Sequence, residues 1–111
     1  MNESILTTIK KMLGIMEEYT HFDQDILIYI NSAFMSLRQI GVGSEDGFYI
    51  DDASYTWNNF VDDMTKYAAI KTYIYLKVRL VFDPPTNSSH LQQLKDELAE
   101  VTWRLNHEAE K

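Results

Sequence analysis

The sequence predicts an all-α fold, a small bundle of about four helices with a long central loop. Three observations carry that expectation. Apolar residues recur at alternating steps of three and four over residues 23–40 and again over residues 91–105. Residues 64–82 run without Gly or Pro for a length that exceeds an ordinary strand, and no second strand of comparable strength exists to pair with them. Pro84-Pro85 then ends that segment, because proline fixes φ, lacks an N–H and pushes the preceding residue out of the α region.

The first helix is expected within residues 3–16, where Ile5, Ile9, Met12 and Met16 share a helical spacing. Gly14 interrupts the pattern and sets its end near Leu13. For the second helix, Asp23 is the expected N-cap, its carboxylate accepting from backbone N–H groups that lack intrahelical partners. Ile26, Ile30, Ala33, Leu37 and Ile40 form its buried stripe, widened by Leu27 and Phe34, and Gly41 sits where a left-handed C-cap belongs. Residues 41–56 read as a loop, rich in Gly, Asp and Ser. Its apolar insert Phe48-Tyr49-Ile50 is suited to a short extended piece that pins the loop or meets a partner. Trp57-Asn58-Asn59-Phe60 looks like one helical turn capped by Thr56.

Residues 73–82 alternate with period two and are rich in β-branched and aromatic side chains, which by itself suits a half-buried strand. Length, continuity with the helix-favouring residues 64–72 and the missing partner strand favour one long helix instead. Twelve of the sixteen residues from Tyr67 to Phe82 are apolar and fall all round that helix, so it is buried on several sides, within the domain or between subunits. The last helix starts with Asn87, Ser88 or Ser89 as cap and reaches about His107, with Leu91, Leu94, Leu98, Val101 and Leu105 as its seam. Trp103 lies off the seam, and Glu100 and Arg104 are spaced for an i, i+4 ion pair.

A length of 111 residues suits a single domain, 1–111, with an ordinary apolar share and a real core. The chain has no cysteine, which excludes disulfides and thiolate metal sites. No apolar run approaches a membrane span, so no membrane partner is expected. The net charge is −7, and Lys66, Lys71, Lys77 and Arg79 scatter around a helix without forming a stripe. Gripping nucleic acid requires a basic face, so a DNA-binding role is disfavoured.

Chemistry-bearing patterns are weak. Glu18-Tyr19-Thr20-His21 has the Glu-x-x-His spacing of di-iron bundles, but those need two such motifs, and His90 and His107 follow Asn87 and Arg104 at the matching position. Asp51-Asp52 and Asp62-Asp63 lack a calcium-loop pattern and are better read as charges at helix starts. No nucleophile set and no phosphate loop is present. The chain is expected not to be an enzyme and to carry no cofactor or metal. The aromatic residues Trp57, Phe60, Tyr73, Tyr75 and Trp103 suit either the core or a subunit interface, and the interface is favoured for some of them. Arg79 is the preferred buried or interfacial cation, with Asp83 or a glutamate of another subunit as its expected carboxylate partner.

The whole arrangement resembles the small head–tail connector (adaptor) proteins of long-tailed bacteriophages. The features that carry the resemblance are Asp51, Asp52, Thr56, Trp57 and Phe60; the run Tyr-Ile-Tyr-Leu-Lys-Val-Arg-Leu at residues 73–80; Phe82-Asp83-Pro84-Pro85; Ser88 or Ser89; and Glu100 with Trp103-Arg104-Leu105-Asn106. The resemblance implies an all-helical subunit and settles residues 73–82 as helix. It implies a ring of about twelve copies seated under the portal protein in the neck of the virion, assembled in the host cytoplasm. That ring would extend the DNA channel, let DNA pass without sequence-specific binding and dock the stopper or tail protein. Candidate assembly residues are Tyr49, Trp57, Phe60, Tyr73, Tyr75, Arg79, Phe82, Asp83, Pro84, Pro85, Trp103 and Arg104. The rival expectation is a small acidic helical regulatory protein acting through protein contacts. A free monomer of that kind would cover the helix at residues 64–82 completely, whereas a connector would leave part of it for neighbours.

Overall fold

The computed structural model describes residues 2–109. Its elements are α1 (Ile5–Met12), α2 (Asp23–Gln39), a single 3-10 turn (Trp57–Asn59), α3 (Met64–Phe82) and α4 (Ser88–Ala109). Among the described residues there is no strand, only an isolated bridge between Ser4 and Thr56. The chain is an all-α bundle in which α3 packs against each of the other three helices.

Helix α1 starts where the Ser4 hydroxyl accepts from Thr7 N–H at 3.2 Å and ends at Leu13, before Gly14 at φ +81°. Its buried face is Ile5, Leu6, Ile9 and Lys10. Met16, expected on that stripe, lies beyond the break and is exposed. Helix α2 buries Ile26, Leu27, Ile30, Ala33, Phe34 and Leu37, the stripe its spacing predicts, and turns out of the helix at Gly41 with φ +89°. Asp23 is not its N-cap. Phe22 holds that position without a side-chain cap, and Asp23 instead turns toward Lys10, its Oδ1 2.9 Å from Nζ.

Helix α3 begins at Asp63, whose carboxylate accepts from Thr65 N–H at 2.9 Å and Thr65 Oγ1 at 2.7 Å. It buries Tyr67, Ile70, Tyr73, Ile74, Leu76 and Val78, residues spread around the helix, as an element covered from three sides must. This explains the misleading strand pattern: burial on opposite faces gives alternation as well as helical spacing. Asp83 leaves the helix at φ −148°, ψ 65°, outside the α region that the following Pro84 disfavours. Asn87 restarts the chain as α4, its Oδ1 accepting from His90 N–H at 3.0 Å. Leu94, Val101 and Leu105 are the buried part of the α4 seam, with Leu91 and Leu98 half-buried.

Candidate functional site

The face of α2 opposite its buried stripe carries two exposed apolar side chains two turns apart, Ile28 (63 % exposed) and Met35 (61 %). Residues 46–51 run alongside them. That segment is placed by the Asn31 amide, whose Oδ1 accepts from Ile50 N–H at 2.9 Å and whose Nδ2 donates to Ile50 C=O at 2.8 Å. This reciprocal pair copies what a neighbouring strand would supply. Side chains of an extended segment alternate, so Phe48 turns in against Phe34 and Phe60 (ring centroids 4.9 and 5.0 Å), Ile50 is fully buried and Tyr49 points out. Between α2 and this segment lies an open groove of about 650 Å³, with Arg38, Asp46 and Asp51 among its lining groups. Sequence reasoning named Tyr49 but missed Ile28 and Met35; the available signal was a pair of apolar residues seven apart on the polar side of α2.

On α3, Tyr73 is a core residue, and its burial raises its hydroxyl pKa, partly offset by a hydrogen bond with Ser36. Tyr75 is half-buried and its hydroxyl accepts from Arg79 Nη1 at 2.8 Å. The carboxylate partner expected for Arg79 is missing among the described residues: the ion pairs there are Lys10–Asp23 and Arg104–Glu100, and the buried Arg79 Nε has no acceptor. Asp83 meets Arg79 through the backbone, its N–H donating to Arg79 C=O at 2.9 Å as the last bond of the helix, which leaves the guanidinium with the Tyr75 hydroxyl. Phe82 packs edge-on against Phe22 at 5.2 Å and beside Tyr29, which fixes the approach to the corner; Pro84 is exposed and Pro85 half-buried.

Trp57 is fully buried, its Nε1 donating to Thr8 Oγ1 at 3.0 Å and its ring edge-on to Tyr67 at 5.6 Å. Trp57 and Tyr73 are thus taken up by the core of the subunit, away from its surface. Phe60 is half-buried beneath Gly43 and packs at a tilt against Phe34, ring centroids 4.7 Å apart. Trp103 is the opposite case: 65 % exposed, it projects from α4 away from the seam and lies parallel to His107 at 5.1 Å. Arg104, beside it, pairs with Glu100 at 2.6 Å on the surface. The twelve candidates therefore do not converge on one patch. Tyr49 and Trp103 stand on separate surfaces, and Tyr75, Arg79 and Phe82 line the α3 approach to the proline corner.

The acidic pairs have local structural roles. Asp63 caps α3, and Asp52 accepts from Ser54 N–H at 2.8 Å and Oγ at 2.5 Å in a turn, rather than standing at the start of the 3-10 turn. These bonds hold both carboxyls below the ordinary aspartate value, while the Asp51 charge raises the Tyr55 hydroxyl. Thr56 opens the 3-10 turn, its N–H donating to Asn59 Oδ1 at 2.8 Å. Glu18 and His21 are exposed in the α1–α2 connection, with His21 edge-on to Phe22 at 4.8 Å. Among the described residues no three His, Asp or Glu side chains gather as a metal-binding group, and no helix is long and apolar enough to cross a membrane.

No curated protein and no solved structure matches the chain. A family model described as phage connector protein matches residues 5–111, nearly the whole chain and every helix of the bundle. The chain belongs to the phage connector protein family.

Proposed function

We propose that this chain is a structural protein of the virion neck that assembles as a ring beneath the portal, extends the DNA channel and docks the stopper or tail protein. The observation that carries the reading is the connector-family match across residues 5–111. The surface supports it. Helix α3 is not fully covered: Met64 and Val81 at its two ends are 64 % and 61 % exposed. A regulatory monomer would have reason to cover these; a subunit with neighbours would not. The net charge of −7 suits a channel through which DNA slides without adhering.

Function here is geometric. Side-to-side contacts between unlike surfaces close into a ring, one end of the ring meets the portal and the other receives the next neck protein. The test is to add the purified chain to portal-containing capsids that lack a neck and to image the vertex. A collar directly below the portal is expected; a bare portal at saturating protein overturns the reading. In the same assay Arg79→Ala is expected to impair collar formation while leaving helicity nearly intact, because among the described residues its guanidinium bonds to one side chain, the Tyr75 hydroxyl. Equal loss of both would make Arg79 a packing residue.

A further inference from the structure

The exposed apolar residues fall on two surfaces that differ in shape and charge. One is the groove between α2 and residues 46–51, with Ile28 and Met35 on one wall and Tyr49 on the other. The second is the outward ridge of α4, where Trp103 lies against His107 with Lys66 and Arg104 beside it. The two surfaces share no lining residue. Ile28, Met35 and Trp103 face directly away from the buried stripe of their own helix.

We infer that the groove of one copy receives the Trp103 ridge of the next, making this the contact that repeats around the assembly. The inference rests on the reading of the chain as a ring-forming connector and adds which surfaces meet. Three features of the molecule select a second copy as the occupant. A heterologous contact requires two different, complementary patches on one subunit, and a concave apolar surface and an exposed indole are both present. Copies each carrying −7 repel, so a stable contact needs local opposite charge. Asp46 and Asp51 outnumber Arg38 on the groove, while Lys66 and Arg104 outnumber Glu108 beside Trp103. Finally, the parallel stack on His107 holds the indole in one orientation before contact, which lowers the entropy lost on burial. A large aromatic inserted into an apolar pocket is the usual anchor of an interface. The Arg104–Glu100 pair is solvent-exposed at both ends, so exchanging Glu100 for a groove carboxylate costs little.

The experiment uses two full-length variants, Met35→Glu and Trp103→Glu, each placed at an exposed position so that helicity and melting are preserved. Sedimentation over a wide concentration range reads association. Wild type is expected to self-associate beyond the dimer, and each variant alone to weaken that association roughly thirtyfold, the loss of one interface anchor. Mixing the variants is the decisive arm. The groove of the Trp103→Glu chain still accepts the ridge of the Met35→Glu chain, so the mixture forms a dimer and stops there. Variants that associate like wild type, or a mixture that stays monomeric or grows past the dimer while wild type associates, overturn the inference. A wild type that stays monomeric at every concentration also overturns it, yet leaves the neck reading to the portal experiment. A collar that forms equally well from both variants sinks the inference while upholding the neck.

Discussion

The two long connections of this bundle are held against the helices by opposite means. The middle of the first, residues 16–21 between α1 and α2, hangs from one charge, while Leu13, Ile15 and Phe22 pack its ends against the core. Lys10 Nζ, on a residue only 2 % exposed, donates to the backbone carbonyls of Glu17 at 2.9 Å and Tyr19 at 2.7 Å and lies 2.9 Å from Asp23 Oδ1. Almost nothing apolar supports it there, since residues 16–21 are all exposed. Residues 41–56 are held by a neutral amide, Asn31 on Ile50, together with a fully buried Ile50 and the Phe34, Phe48 and Phe60 rings. The middle of the first connection has one anchor whose charge must stay compensated; the second divides the task between hydrogen bonding and burial. Sensitivity to single substitutions should differ accordingly.

The largest expected effect is at Lys10. Lys10→Met removes the ammonium from a buried position and orphans its acceptors, costing about 3 kcal/mol in urea unfolding. Part of the loss is recovered because the exposed carbonyls of residues 17 and 19 can turn to water. A cost below that of Asn31→Ala would reverse the comparison. Asn31→Ala leaves both Ile50 backbone groups without partners, a cost of about 2 kcal/mol, but Ile50 and Phe48 should keep the segment in place. Faster hydrogen exchange confined to residues 46–52, with the rest of the bundle unchanged, is the expected pattern.

The glycines sharpen the contrast. Gly14 and Gly43 both adopt positive φ, +81° and +94°, so alanine is strained at either. A Cβ at Gly14 meets nothing within 4 Å, whereas one at Gly43 comes within 2.9 Å of the Phe60 ring. Gly14→Ala should cost about 1 kcal/mol and Gly43→Ala about 2 kcal/mol, the difference reporting how firmly the aromatic group holds Phe60. Equal melting shifts would show that Phe60 yields freely. The smallest effect concerns Asp63, which belongs to neither anchor. Its hydrogen bonds from Thr65 hold its carboxyl below the ordinary value of 3.8, so its cap contribution is fully present above that value and fades as pH falls through the lowered one. The stability gap between wild type and Asp63→Asn should shrink on strong acidification; a gap independent of pH would exclude a role for the charge.

Much of this architecture was legible in the sequence. The bounds of α3, with Asp63 before it and Pro84 after it, the turn at Gly41 and the cap at Asn87 all follow from signals within a few residues of where they act. The seam of α4 was also legible, since spacing alone assigns Leu94, Val101 and Leu105 to one face. Lys10 was not. A lysine next to Lys11 at the end of a short helix reads as solvated, and its acceptors are backbone carbonyls, which leave no mark in a sequence. Asp23 was misread for the same reason: its position before a periodic run suits a cap, but the buried ammonium competes for its carboxylate and wins. The aromatic residues divided unpredictably because composition does not say which face a helix shows its neighbours. Trp57 and Trp103 look alike in sequence, yet one finds Thr8, 49 residues away, and the other stays on the surface.

By itself, then, the sequence determined the extent of each helix to within a residue or two and which face of it is apolar, because capping, proline geometry and periodicity act over one or two turns. Only the tertiary structure decided which polar groups are buried, which aromatics remain for neighbours, and that Ile28, Met35 and Tyr49 share a groove. Those outcomes depend on contacts between segments far apart in the chain, where free energy is set by the packing of several elements at once.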